Sequence, residues 1–236
     1  MDLFYDLHIH SCLSPCGDND MTPYNLVNMA KLKGLDIIAL TDHNTCANCP
    51  AAVKAGQQAG ITVVPGMELC TSEEVHVLCL FGDLQGAMDF SEYTQRRIPK
   101  IKNRKDIFGE QLIMDSRDNI IGQFDLLLTT AADISVSEVV VTVGSFGGFC
   151  CPAHIDRGSY SLISNLGGIN SDMGFTAAEL TKRADIAEYF NRFPLLKTMR
   201  ILRNSDAHFL ADISEPEMKI SLPECCAKAL VAVFCN

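Results

Sequence analysis

Short apolar runs alternate with amphipathic stretches along most of the chain, and their boundaries predict the elements. Leu3–Ile9 is the first strand candidate. Thr22 caps and Pro23 opens a helix to about Lys33, just before Gly34. Proline's fixed φ suits a first helical turn, and glycine suits the exit. Leu35-Asp36-Ile37-Ile38-Ala39-Leu40 is a nearly continuous apolar run of strand length, the pattern of a strand covered on both faces. A helix over about Ala51–Ala59 stops at Gly60, and Ile61–Pro65 and Val75–Phe81 are the third and fourth strands. The alternation predicts a mainly parallel α/β sheet or barrel.

Residues from about 86 to 135 are less regular, with a hairpin predicted around a turn at Ser116–Asn119. Ser135 and Glu138 fit a capping box for a helix reaching about Gly147. Strands return at Phe149–His154, Ala177–Thr181 and Met199–Asn204, and a last helix spans about Pro223–Phe234. No repeat or linker divides the chain, so residues 1–236 read as one domain with an insertion at about 86–135.

Composition narrows the functional classes. With 236 residues, 47% of them hydrophobic, the chain can bury a core without disulfides or a structural metal. A net charge of -10 opposes binding through a general positive field. No long duplex nucleic acid and no membrane are therefore expected as partners. A small phosphorylated substrate remains compatible, because bound cations supply local positive charge. The start of the chain lacks the basic, then apolar, pattern of a secretory leader, and no run of ~18 apolar residues exists. Eleven cysteines, an odd number, then point to reduced thiols and a cytoplasmic location. Arg96, Arg97, Lys100, Lys102, Arg104 and Lys105 form either a solvated helix face or a phosphate-attracting rim.

The chemistry gathers at strand ends. His8 and His10 close the first strand, His43 the second and Glu68 the third; His76 lies in the fourth. His154 ends a later strand, and Asp206 and His208 the last, so each of the 6 histidines is accounted for. Residues two apart on a strand face the same way. His8/His10 and Asp206/His208 can each therefore reach one ion. His, Asp and Glu together form a ligand set for Zn, Mn or Fe.

These residues resemble the PHP (polymerase and histidinol phosphatase) domain family. The segments Asp6–Ser11 (D-L-H-I-H-S), Ile37–Asn44 (I-I-A-L-T-D-H-N), P-G-M-E, V-H-V-L, P-A-H and S-D-A-H occur in the family's order across nearly the whole chain. The resemblance implies a distorted (β/α)7 TIM-like barrel, a trinuclear metal site and hydrolysis of phosphate esters. It is strongest to the short stand-alone phosphoesterases carrying T-D-H-N. One position departs from the pattern: where such members place an S-D-G aspartate ligand, this chain has Pro15 within Ser14-Pro15-Cys16-Gly17-Asp18. Asp18 is the first replacement candidate, Asp20 the second and Cys16 the third, a thiolate being suited to zinc or iron. Without any of them, two metals are expected instead of three.

The expected activity is that of a metal-dependent phosphoesterase acting on a small phosphate ester, nucleotide or short oligonucleotide. Two or three divalent ions, bridged by Glu68 and Asp206, would lower the pKa of a bound water toward ~7. His8, His10, His43, Glu68, Asp206 and His208 are the expected catalytic set. His8, His10, Asp18, His43, Glu68, His76, His154, Asp206 and His208 are the expected metal ligands. Arg157 is the candidate for substrate phosphate, with a surface salt bridge as the alternative; Arg203 also adjoins a ligand segment. Asp42 either caps a turn or orients a ligand. Cys12, Cys16, Cys46 and Cys49 either form a four-thiolate site or are reduced thiols without a shared role. A histidinol-phosphate phosphatase and a catalytically inactive metal-binding accessory domain are the competing functions.

Overall fold

The computed structural model describes residues 1–235. The chain runs β1 (Asp2–Ile9), α1 (Pro23–Leu32), β2 (Ile37–Leu40), α2 (Cys49–Ala59), β3 (Thr62–Cys70), β4 (His76–Phe81) and α3 (Leu84–Gln95). It continues with α4 (Lys105–Phe108), β5 (Leu112–Met114), β6 (Ile120–Gln123), α5 (Val136–Ser145), β7 (Gly148–Pro152) and α6 (Leu162–Leu166). It ends with β8 (Ala177–Glu179), α7 (Ile186–Arg192), β9 (Arg200–Leu202), β10 (Lys219–Ser221) and α8 (Ala227–Cys235).

A curled six-stranded sheet has the order β10-β1-β2-β3-β4-β7. Only β1, β2 and β3 run parallel within it; β4 is antiparallel to both β3 and β7, and β10 is antiparallel to β1. The mainly parallel sheet expected from the sequence is corrected here. Residues 71–75 join β3 to β4 as a tight turn, with Thr71 N donating to Val75 O at 2.9 Å. A parallel connection needs a crossover of a dozen or more residues, so β4 must reverse. β8 and β9 form a separate parallel pair. Ile155 N donates to Glu179 O on one side of it, and His10 N to Ala207 O on the other. The structure thus supplies the α/β class and a half-barrel sheet; the complete seven-unit barrel goes beyond it.

Alternation sorts the strand residues into two cores. Ile38, Leu40, Val63, Met67, Val77, Cys79 and Cys150 pack with apolar residues of α1, α2, α3 and α5. Ile37, Ala39, Val64, Leu78, Leu80, Phe149, Cys151, Ala177 and Leu202 line the other face, which Leu230, Val231 and Phe234 of α8 cover. Thr22 caps α1 by accepting from Asn25 N, as expected. Ser135 stands at the N-cap of α5 without a side-chain cap bond. The carboxylate of Glu73, in the β3–β4 turn, accepts from Val136 N instead.

The region expected to be irregular from residue 86 holds α3, whose Ala87 and Phe90 are fully buried. Its Gly86 obscures the pattern, and the structure explains that glycine. An added Cβ would lie 2.3 Å from Phe146 O, where the end of α5 passes. The predicted hairpin is β5–β6, with Asp115 closing the turn through Arg117 N and Asn119 N. Among the described residues no helix is long and apolar enough to cross a membrane.

Asn44 ties this hairpin region to the sheet. Its Nδ2 donates to Leu128 O and Thr130 O, both at 2.7 Å, and its Oδ1 accepts from Cys70 N at 2.9 Å. Its φ of 52° is left-handed, a conformation asparagine tolerates better than most residues. Asn44→Ala leaves three buried backbone groups without partners. It is expected to destabilise the protein by about 2–4 kcal/mol, measured by denaturant unfolding; a loss under about 0.5 kcal/mol would contradict the bracing role.

Candidate metal centre

The strand pattern delivers the side chains. Glu68 is four residues past Val64, His76 two before Leu78, and Glu179 two past Ala177, so all three share the face of the inner core. His8 reaches the same face differently. The β1–β2 register shifts between Asp6 and Ile9, and Leu7 belongs to the inner core while Ile9 belongs to the outer. An irregularity of this kind re-aims the end of a strand. His154 and Asp206 lie beyond β7 and β9, not in them, at left-handed φ of 28° and 53°. Such conformations cost of order 1–3 kcal/mol for residues other than glycine, and here they fall on groups that the site brings together.

Glu68 is the hub. Its Oε1 lies 2.8 Å from His76 Nδ1, 3.0 Å from His154 Nε2 and 3.3 Å from His8 Nε2. Its Oε2 lies 3.0 Å from His43 Nδ1 and 3.3 Å from His10 Nε2. Asp206 Oδ1 lies 3.1 Å from His10 Nε2 and 3.3 Å from His8 Nε2. Three overlapping groups have ligand atoms close enough to hold an ion: His43, Glu68 and His76; His8, His10, Glu68 and Asp206; and His10, His43 and His208. His43 Nδ1, His76 Nδ1, Glu68 Oε2 and Asp206 Oδ1 are buried without hydrogen-bond partners. Buried polar atoms rarely stay unsatisfied, and imidazole nitrogens facing carboxylate oxygens are a donor set that divalent cations fit. Glu68, Asp206 and the six histidines therefore lie in one cluster.

Surrounding bonds fix which nitrogen faces the centre. Ser14 Oγ donates to Asp42 Oδ1 at 2.7 Å and so accepts from His10 Nδ1 at 2.9 Å. Asp42 also accepts from Ser11 N and Ser11 Oγ at 2.7 and 2.6 Å. It thus secures the loop and, through Ser14, the His10 ring, combining both roles considered for it. His8 Nδ1 donates to Glu179 at 3.0 Å, leaving Nε2 toward the centre. Glu179 is held in turn by His154 N at 2.8 Å and Asn204 Nδ2 at 2.6 Å. Sequence reading missed Glu179; the available signal was a carboxylate inside an apolar strand.

Burial pushes the imidazoles toward neutrality, but the carboxylates reverse this for three of them. Glu179, Asp206 and Glu68 hold His8 well above the usual range; His10 rises to about 9 beside Asp206 and Glu68, and His43 to about 9 beside Glu68 and the Cys16 side chain. Burial also opposes ionisation of Glu68 and Asp206, yet the facing histidines keep both well below the usual carboxylate range. His76 is lowered by burial, and His208 falls to about 4 through burial and its neighbour His10.

Of the other expected groups, Cys16 and Arg157 touch the edge of this cluster and the rest lie apart from it. The structure does not bring Asp18 to it: its carboxylate accepts from Asp20 N at 2.8 Å within its own turn. Cys16 instead lies 3.1 Å from His208 Nε2. Arg157 is about half exposed, 2.6 Å from Asp206 Oδ2. Arg203 donates to the carbonyls of Thr181 and Ala184, bracing a loop. Cys46 and Cys49 are buried and point at Gly66 O, while Cys12 approaches Leu112 O. No four-thiolate group occurs among the described residues. In the basic stretch, Arg96 pairs with Glu92 and Arg104 with Asp106 on the exposed surface, while Arg97 is half-buried and stacks on Tyr93.

Residues 6–157, more than half of the sequence, match the PHP domain. The chain belongs to that family. Curated relatives include a 5'-3' exoribonuclease of Haemophilus influenzae, 37% identical over 79 residues, or 32% of this chain and 28% of that protein. An uncharacterized protein of Methanocaldococcus jannaschii is 34% identical over 108 residues, 42% of this chain and 61% of its own length. A phosphoribosyl 1,2-cyclic phosphate 1,2-diphosphodiesterase of Eggerthella lenta is 34% identical over 80 residues, 32% of this chain and 29% of its own length. This PHP domain therefore spans less than two thirds of each. The lesion-specific endonuclease Q of Pyrococcus furiosus shares its fold with a TM-score of 0.73 at 19% identity, over 99% of this chain and 56% of that one. A second structure of endonuclease Q contains a 27-mer duplex with an abasic lesion at the active site. The expectation against long duplex nucleic acid thus finds no support in the fold.

Metal ligation requires neutral imidazole, so loading the PHP domain displaces protons. His10 and His43 titrate near 9, with His8 also raised. At pH 7 these rings are charged in the metal-free protein, and metal affinity rises with pH until about 9. Calorimetric titration with Mn²⁺ at pH 7, repeated in buffers of different ionisation enthalpy, is expected to show release of at least about two protons at saturation. Saturation with no proton release would contradict the charge state described here.

Proposed function

We propose that this PHP domain is a metal-dependent phosphoric ester hydrolase acting on a nucleotide or short oligonucleotide. One observation carries the reading: a single buried carboxylate, Glu68, lies against five imidazoles, with Asp206 shared by two of them. A structural salt bridge needs one partner; this arrangement suits cations held by His8, His10, His43, Glu68, His76, His154, Asp206 and His208. Bound divalent Zn, Mn or Fe supplies Lewis acidity, activation of water at neutral pH and neutralisation of phosphoryl charge.

The chain's own residues supply position and access. A cavity of about 510 Å³ borders the cluster, lined in part by His154, Arg157, Lys182, Arg183 and Asp206. Arg157 reaches from its mouth and can offer two parallel donors to phosphate oxygens. Lys182 and Arg183 line the same cavity alongside Glu179, Asp206 and Asp212, the two carboxylates nearest the cluster being those that cations and His8 engage. Relatives named as a 5'-3' exoribonuclease and a cyclic phosphate diphosphodiesterase support a nucleotide-like ester over other phosphates.

The full chain, supplied in turn with Mn²⁺, Zn²⁺ and Fe²⁺, is expected to release phosphate from an aryl phosphate and to shorten oligoribonucleotides. His8→Ala and Asp206→Ala abolish both activities. Arg157→Ala raises KM roughly tenfold or more with a smaller change in kcat, as befits a lost charge-assisted phosphate contact. Absence of turnover with all three metals and both substrates would overturn the proposal in favour of an inert metal-binding domain.

A further inference from the structure

The third of the three ligand groups differs from the others. His43, Glu68 and His76 include a carboxylate, as do His8, His10, Glu68 and Asp206; His10, His43 and His208 do not. Their rings are close: His10 and His208 stack with centroids 4.4 Å apart, and His10 and His43 lie 4.6 Å apart. The group that stands at its open side is the thiol of Cys16, 3.1 Å from His208 Nε2 and within hydrogen-bond reach of His43.

The contact is directed. His208 Nδ1 donates to Asp206 O at 2.8 Å, so in the neutral ring Nε2 carries a lone pair, and it faces the Cys16 sulfur. The loop bearing Cys16 is firmly held. Ser14 N donates to Ser11 O, Gly17 N to Ser14 O, and Asp18 N to His208 O at 2.9 Å. A Cβ at Gly17 would lie 2.4 Å from Ser11 O, so glycine permits the tight approach that places the thiol. The carboxylate of Asp18, one turn further, is engaged with Asp20 N. Zinc binds imidazole nitrogen at about 2.0–2.1 Å and thiolate sulfur at about 2.3 Å, so at a tetrahedral ion a neighbouring nitrogen and sulfur sit about 3.5 Å apart. The Cys16–His208 separation of 3.1 Å is short of that, and the two atoms need to part only slightly to share an ion.

We infer that Cys16 is a thiolate ligand beside His208 and His43 at the His10–His43–His208 group, where the single free nitrogen of His10, its Nδ1 being bonded to Ser14, serves either this ion or the one at His8, Glu68 and Asp206, and the sulfur supplies the further ligand. This deepens the proposed function and rests on it. On binding, the thiol proton passes to solvent and the sulfur takes the place facing His208 Nε2. Soft thiolate with imidazole favours Zn²⁺, Co²⁺ or Fe²⁺ over Mn²⁺, so the three positions are not equivalent in metal preference.

Cobalt(II) titration of the metal-free full chain tests this by absorbance, without reference to turnover. The wild type is expected to develop a thiolate-to-cobalt charge-transfer band in the near ultraviolet. Cys16→Ser loses the band and binds the corresponding ion at least about tenfold more weakly, since loss of even an orienting partner costs roughly 10–100-fold. Cys16→Asp restores stoichiometry without the band and shifts preference toward Mn²⁺. Full cobalt stoichiometry in the wild type with no band, or a band unchanged in Cys16→Ser, overturns the Cys16 assignment alone. Failure of the wild type and Cys16→Asp to bind any metal overturns the proposed function as well.

Discussion

A single buried carboxylate organises this molecule. Glu68 has no aqueous exposure to offset its charge, and its stability as an anion rests on the five imidazoles around it. Those imidazoles come from β1, the segment after β2, β4 and the segment after β7. The half-barrel curl is what lets such separate elements meet at one point. The departures from regular structure serve the same end. The register shift in β1 turns His8 inward, and His154 and Asp206, just beyond their strands, take left-handed backbone conformations.

The reversal of β4 is part of the same solution. Because β4 runs against β3, its first residue lies beside the end of β3, and His76 pairs in register with Cys70. A parallel fourth strand would begin at the opposite end and carry His76 away from Glu68. β7, antiparallel to β4, then ends on the site side, where Val77 pairs with Pro152 and His154 follows. Around this frame, polar groups that never touch the centre fix its rings: Asp42 through Ser14 for His10, and Glu179 with Asn204 for His8. Such partners set which nitrogen is available and how basic it is.

Much of this was legible in the sequence because metal chemistry uses few residue types and strands repeat every two positions. Each histidine, Glu68 and Asp206 could be singled out from strand ends and motif order, and Asp206 and His208 lie outside the span matched to the PHP domain. What stayed hidden depended on backbone geometry. The direction of β4 follows from a tight turn, not from its apolar pattern. α3 was masked by Gly86, whose cause is a carbonyl from α5. That the Cys16 sulfur lies beside His208 while the Asp18 carboxylate turns to Asp20 N follows from how the loop folds back on Ser11 and Ser14, which residue spacing does not encode. Glu179 was passed over because a carboxylate within a strand matches no ligand spacing.

The hub role of Glu68 is tested most directly by metal analysis of Glu68→Gln against the wild type, after loading the full chain and removing free ion. Glutamine keeps the shape and removes the charge shared by two of the three ligand groups. The variant is expected to retain at most the ion held by His10, His43 and His208. Retention of the wild-type number of equivalents would contradict it.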